Sequence, residues 1–159
     1  MQACFELADE KKAVHFSSVL APLLSAPLVF AFQGDLGAGK TTLIRAMLRA
    51  LGVTGSIKSP TFSWVESYDF PDYVIHHFDL YRLSDKSTDE SNLDAFGFRD
   101  YFSSDAICCI EWPERAPSLK SHIDVLFSLE IKGEGRQLSV TALSAPGKIL
   151  LDALRRILK

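Results

Sequence analysis

Eight consecutive residues, Gly34-Asp35-Leu36-Gly37-Ala38-Gly39-Lys40-Thr41, match the pattern of a phosphate-binding P-loop. Glycines at these positions let successive backbone N–H groups curl around phosphate oxygens at the start of a helix. A lysine in the seventh place supplies a point charge for the β and γ phosphates, and the threonine hydroxyl after it is a ligand for magnesium. Thr42 follows as an α-phosphate contact. Asp35, Leu36, Gly37, Ala38, Gly39, Lys40, Thr41 and Thr42 are therefore expected to hold ATP with Mg²⁺, leaving ADP as product. An ordinary glycine-rich turn would need neither the Lys-Thr pair nor a strand before the loop and a helix after it.

Such a loop needs an acid near the metal, usually at the C-terminal end of a neighbouring buried strand. Asp79 follows Val74-Ile75-His76-His77-Phe78, and Glu111 follows Ala106-Ile107-Cys108-Cys109-Ile110, so each ends an apolar run. Both are candidates, against the alternative of a solvated residue or helix cap. His76 and His77 have no metal-ligand partners at suitable spacing, and packing or edge exposure is the expectation for both. Trp112 either seals the site, stacks on a base, or packs.

The elements around these residues follow from hydrophobic period. Residues 28–32 form a continuous apolar run that ends on the loop, as expected of a strand buried on both faces. Leu43, Ile44, Met47, Leu48 and Leu51 share one helical face after it. An amphipathic helix is expected over 9–24, ended or kinked by Pro22. Strands over 61–68 and 73–78 should form a hairpin about Asp69-Phe70-Pro71-Asp72. A polar loop over 84–92 precedes a short helical stretch over 93–101, and 106–110 is a further buried strand. Ile123, Val125, Phe127, Leu129 and Ile131 alternate, as do Leu138, Val140 and Ala142, giving a second hairpin across Gly133-Glu134-Gly135. A last helix over 147–158 sets Ile149, Leu150, Ala153, Leu154, Ile157 and Leu158 on one side. The expected architecture is α/β, a three-layer P-loop NTPase fold with a parallel core extended by antiparallel strands, in one domain over 1–159.

With 47% hydrophobic and 23% charged residues, the composition suits a globular chain. Its longest apolar stretches fall far short of the roughly 20 residues that cross a bilayer. Glu6, Asp9 and Glu10 stand where a secretory signal would carry positive charge, so the expected compartment is the cytoplasm. The odd cysteine count, with Cys108 and Cys109 adjacent in an apolar run, suits reduced thiols. A net charge of −3 without a Lys/Arg run argues against a nucleic-acid footprint, so any RNA is expected to arrive through a partner.

Several segments together resemble the TsaE family, also called YjeE, of bacterial tRNA threonylcarbamoyladenosine synthesis. They are residues 34–42, Ser59-Pro60-Thr61-Phe62, His77-Phe78-Asp79-Leu80-Tyr81-Arg82-Leu83, Gly97-Phe98-Arg99-Asp100-Tyr101 and Ile110-Glu111-Trp112. The resemblance implies a cytoplasmic Mg-dependent ATPase that supports the TsaD and TsaB proteins, which modify an adenosine beside the anticodon. It implies that Thr41, Asp79 and Glu111 form the magnesium shell, and that Glu111 also polarises the attacking water. Ser59-Pro60-Thr61 resembles a switch-like loop, in which Thr61 would sense the γ-phosphate, and Lys40, Glu111 and Thr61 make up the expected catalytic group. Arg136 resembles a position near the nucleotide, although an arginine at a hairpin start is commonly solvated. Residues 84–92 depart from the family, which commonly has a shorter stretch there.

Two other classes compete. A small P-loop kinase would need an acceptor pocket and an arginine-rich lid, for which residues 112–123 offer only Arg115 and Lys120. A nucleotide-dependent binding switch of GTPase type finds a loose Asp-x-x-Gly match at Asp94-Ala95-Phe96-Gly97, without a preceding buried strand or a guanine signature.

Overall fold

A computed structural model describes residues 1–60, 63–83 and 97–159. Seven strands form one sheet: β1 (Gln2–Leu7), β2 (Leu28–Gly34), β3 (Val65–Asp69), β4 (Val74–Asp79), β5 (Ala106–Glu111), β6 (Val125–Lys132) and β7 (Gly135–Ala142). Among the described residues three α-helices accompany them, α1 (Glu10–Leu20), α2 (Lys40–Ala50) and α3 (Ala145–Ile157). The strand order is β1-β7-β6-β2-β5-β4-β3. β2 runs parallel to both β5 and β6, and β4 runs parallel to β5. The β3–β4 and β6–β7 pairs are antiparallel, as is β1 against β7. The α/β architecture with a parallel core and antiparallel extensions is as expected.

Period two divides β2 and β5 between the two faces of the sheet. Phe30, Phe32, Ile107 and Cys109 enter the core beneath the three helices, while Val29, Cys108 and Ile110 turn to the other face. Phe32 stacks on its register partner Phe127 with ring centroids 4.8 Å apart, joining β2 to β6. Among the described residues, the opposite layer contains the 3₁₀ turns Phe98–Tyr101, Pro113–Arg115 and Pro117–His122. Phe78, Leu80, Leu83, Phe98 and Leu119 close the core there.

Caps fix two helix entries. Asp9 accepts from the Lys12 N–H at 2.9 Å at the start of α1, and Pro22 lies in a 3₁₀ turn that continues past its end. Ser144 caps α3 and donates to Asp124 at 2.5 Å, while the other Asp124 oxygen accepts from the Val29 N–H at 2.8 Å. One aspartate thus ties the entry of β2 to the entry of α3.

Four expectations need correction. β1 is a strand where none was expected; its burial alternates, with Ala3, Phe5 and Leu7 turned inward. Of the hairpin strand predicted over 61–68, residues 61 and 62 lie outside the described residues and 63–64 are not strand: β3 begins at Val65, after Trp64 takes φ +70° and breaks the extended backbone. Ile131, placed on the inward face, is 51% exposed where β6 runs beyond the helices. Ile149 is 72% and Ile157 55% exposed, since α3 buries only the narrower stripe of Gly147, Leu150, Leu151 and Leu154. The loop expected over 84–92 and residues 93–96 of the next stretch lie outside the described residues, while 98–101 form a 3₁₀ turn within the helical stretch expected there. Among the described residues no helix is long and apolar enough to cross a membrane.

Two predictions follow from packing. A Cβ on Gly147 would lie 2.2 Å from the Asp124 carbonyl oxygen. Glycine to alanine inside a helix ordinarily gains about 1 kcal/mol, but Gly147→Ala should instead lose about 1–3 kcal/mol by overpacking, measured by urea denaturation. Cys4 is exposed, whereas burial pushes the Cys108 thiol up to about 12 and the Cys109 thiol well above its ordinary value. A thiolate-directed reagent at neutral pH should label one cysteine in the folded protein and all three in denaturant, counted by mass spectrometry.

Candidate active site

β2 delivers the glycine-rich loop expected to hold phosphate, and α2 carries it away. Gly39 at the helix start has φ +103° and Gly37 φ +81°, conformations that suit glycine. Gly34 is needed for another reason: a Cβ there would lie 2.6 Å from the Leu129 carbonyl oxygen, so the loop runs against β6. Leu36 at the tip is 70% exposed, and Asp35 and Gly37 are exposed with it.

Lys40 folds back onto this loop. Its Nζ donates to the Gly34 carbonyl at 2.6 Å and the Asp35 carbonyl at 3.0 Å, and lies 4.1 Å from the centroid of the Trp112 ring. Burial lowers its pKa, opposed by Glu111, Glu114, Asp79 and Asp35. The ammonium is thus held by weak neutral acceptors and an aromatic face, from which an anion would draw it.

Asp79 and Glu111 are register partners at the ends of parallel β4 and β5. Glu111 is 2% and Asp79 7% exposed. Thr41 Oγ1 donates to Glu111 Oε1 at 2.7 Å, joining the helix start to the end of β5. The Ser59 hydroxyl contacts Asp79 Oδ2 and lies 3.3 Å from Glu111 Oε2, while Asp79 Oδ1 accepts from the Tyr81 N–H at 3.0 Å. A hydroxyl and two carboxylates are hard oxygen donors. Magnesium typically takes one or two carboxylates beside substrate phosphates and water, so the set fits that ion. No group of three or more His, Cys, Asp or Glu among the described residues is arranged to hold a metal by itself.

His77, expected only to pack or to lie at an edge, is brought into the site by the structure. It is fully buried, and its Nε2 lies 2.7 Å from Glu111 Oε2. The signal was available, since His77 stands two residues before Asp79 and so shares its face of the strand. His76 points to the other face, where its Nδ1 meets the Ser67 hydroxyl at 2.7 Å and its ring lies 4.8 Å from Tyr101.

Two cavities flank the loop. One, of about 390 Å³, is lined by Lys40, Thr41, Ser59, Asp79, Glu111 and Trp112 among others. The other, of about 280 Å³, lies between the start of α1 and the hairpin β6–β7, and its lining includes Ala13, Thr42, Leu43, Leu129 and Arg136. Arg136 is not simply solvated. Its Nε donates to the Ala38 carbonyl at 2.9 Å and its Nη2 to the Gly37 carbonyl at 3.1 Å. Trp112 belongs to the first cavity. A backbone φ of +60°, rare for so large a side chain, turns its indole over Lys40, beside Tyr81 at 5.0 Å between centroids. Thr61 lies outside the described residues, as do Asp94, Ala95 and Phe96 of the loose Asp-x-x-Gly match.

Comparison with known proteins identifies the family. The family model described as threonylcarbamoyl adenosine biosynthesis protein TsaE matches residues 7–138. The tRNA threonylcarbamoyladenosine biosynthesis protein TsaE of Haemophilus influenzae is 39% identical over 139 residues, covering 87% of this chain and 85% of its own. The protein of the same name from a Nostoc species is 35% identical over 136 residues, covering 85% and 83%. The crystal structure of Bacillus subtilis YdiB shares the fold, with a TM-score of 0.77 at 21% identity, covering 100% of this chain and 97% of the other. Matched by the family model over most of its length and more than 30% identical to relatives that it spans almost fully, the chain belongs to the TsaE family.

Proposed function

We propose that this chain binds and hydrolyses Mg-ATP in the cytoplasm in support of tRNA threonylcarbamoyladenosine synthesis, acting beside the TsaD and TsaB proteins, with tRNA reaching it through that complex. The observation that carries the ATPase reading is the 2.7 Å bond from Thr41 to Glu111, with Asp79 alongside and Lys40 in the same cavity. The relatives' names supply the pathway.

In this reading the phosphates lie over the loop amides between the two cavities. Lys40 leaves its carbonyl partners for the β and γ phosphates. Thr41, Asp79 and Glu111 would hold the magnesium ion, which when bound neutralises charge on the phosphate oxygens and orients them. Glu111 orients the attacking water, and Ser59 links the two carboxylates to the loop that carries Thr61, assigned to sense the γ-phosphate. The base and ribose enter the second cavity, where Leu43 and Leu129 give apolar surface and the Arg136 fork holds the loop's carbonyls. Catalysis is then positioning and charge stabilisation, since phosphoryl transfer asks little covalent work of the protein.

The deciding experiment measures phosphate release from Mg-ATP by the purified chain, alone and with TsaD and TsaB, together with modified tRNA formed over many cycles. Stimulated hydrolysis with sustained modification supports the proposal; phosphate passed to a small acceptor, or turnover indifferent to those proteins, contradicts it. Glu111→Gln should bind ATP within about threefold of wild type and hydrolyse it at least about 100-fold more slowly. Arg136→Ala should weaken ATP binding about tenfold by loosening the loop, read by calorimetry, with a loss of about 1–2 kcal/mol in stability.

A further inference from the structure

The Glu111 carboxylate is held from three sides, and the three holders differ in kind. Thr41 stands at the start of α2, facing the phosphates. Ser59 stands in the segment between α2 and β3, lining the same cavity. Both touch the space that a ligand would fill. His77 is different: it lies inside β4, fully buried, hydrogen-bonded to Glu111 from the adjacent strand. Its register partner is Cys109, so His77 reaches diagonally along one face of the sheet to the residue two places further on.

The imidazole's proton has only one good place. Nδ1 is buried with no hydrogen-bond partner among the described residues, while Nε2 is 2.7 Å from Oε2. A proton on Nδ1 would leave a donor buried and unpaired, and would set the Nε2 lone pair against a carboxylate oxygen. The neutral ring carrying its proton on Nε2 satisfies the short contact and leaves only a weak acceptor unpaired. A carboxylate with one oxygen tied in this way cannot turn about its terminal bond, and the other oxygen is fixed in direction.

We propose that His77 is a positioning residue for the hydrolytic reaction: its Nε2–H anchors Oε2 of Glu111 and thereby aims Oε1 across the mouth of the phosphate loop. The anchor does not depend on the ligand, because neither His77 nor the residues on either side of it, His76 and Phe78, line the cavity. This inference rests on Glu111 acting in hydrolysis, and it assigns to His77 no contact with nucleotide, metal or water.

The test combines kinetics with a readout on the ligand-free chain. Glutamine places its amide N–H near the position of a histidine Nε2, whereas asparagine reaches only to the position of Nδ1. Under conditions where wild type turns over, His77→Leu and His77→Asn should lose about 10- to 100-fold in kcat, with ATP affinity within about threefold, and His77→Gln should recover most of the rate. In the Glu111→Gln background, His77→Leu should add little further loss, because the histidine acts through the carboxylate. Long-range ¹H–¹⁵N spectra of the nucleotide-free protein should show His77 protonated on Nε2 and bare on Nδ1. If His77→Leu does not fold, the asparagine and glutamine variants decide. Equal rates for those two, a normal kcat in folded His77→Leu, or a proton on Nδ1 would overturn the inference. A wild-type rate in Glu111→Gln would instead remove the reading on which it rests.

Discussion

Parallel pairing sends every strand of the central sheet out at the same edge, and this constraint places the whole site. β2 ends in the glycine-rich loop, β5 ends in Glu111 and β4 ends in Asp79, side by side in the parallel register. A parallel sheet must be covered on both faces, which is why β5 is buried at all six positions and why the catalytic candidates follow apolar runs. The core therefore acts as a jig: the strands' packing sets the separation of groups that lie 32 residues or more apart in sequence.

Emergence at a shared edge also brings polar groups into a poorly hydrated place. A carboxylate that is 2% exposed has lost most of its water, and only hydrogen bonds from within the protein compensate it. Thr41, Ser59 and His77 supply them to Glu111; Tyr81 N–H and Ser59 supply them to Asp79. Lys40 meets the same requirement differently, through two loop carbonyls and the Trp112 ring. The Lys40 ammonium is thus satisfied by acceptors that phosphate oxygens can replace, whereas the carboxylates are satisfied by donors, of which His77 is part of the core.

The antiparallel half of the sheet serves the loop from the other side. β6 passes so close to Gly34 that no side chain fits between them, and the β6–β7 turn brings Arg136 against Gly37 and Ala38. β1, pairing with β7, closes that flank, and α1 begins beside it, so the second cavity lies between the first two elements of the fold and the β6–β7 hairpin.

The sequence by itself determined the glycine-rich loop, its strand and helix, the two acids at strand ends, and most of the alternation in the C-terminal hairpin, because each is a local pattern of spacing or period. It also carried the alternation of β1 and the shared face of His77 and Asp79, signals present but outweighed by the polar character of those segments. What only the tertiary structure decided are relations between residues distant along the chain. That Thr41 and His77 grip opposite oxygens of one carboxylate depends on the order β2-β5-β4, which no single segment encodes. That Arg136 reaches the loop depends on how β7 lies against β6. The exposure of Ile149 and Ile157 depends on how far the sheet extends beneath α3, since a helix buries only the stripe that its neighbours can reach.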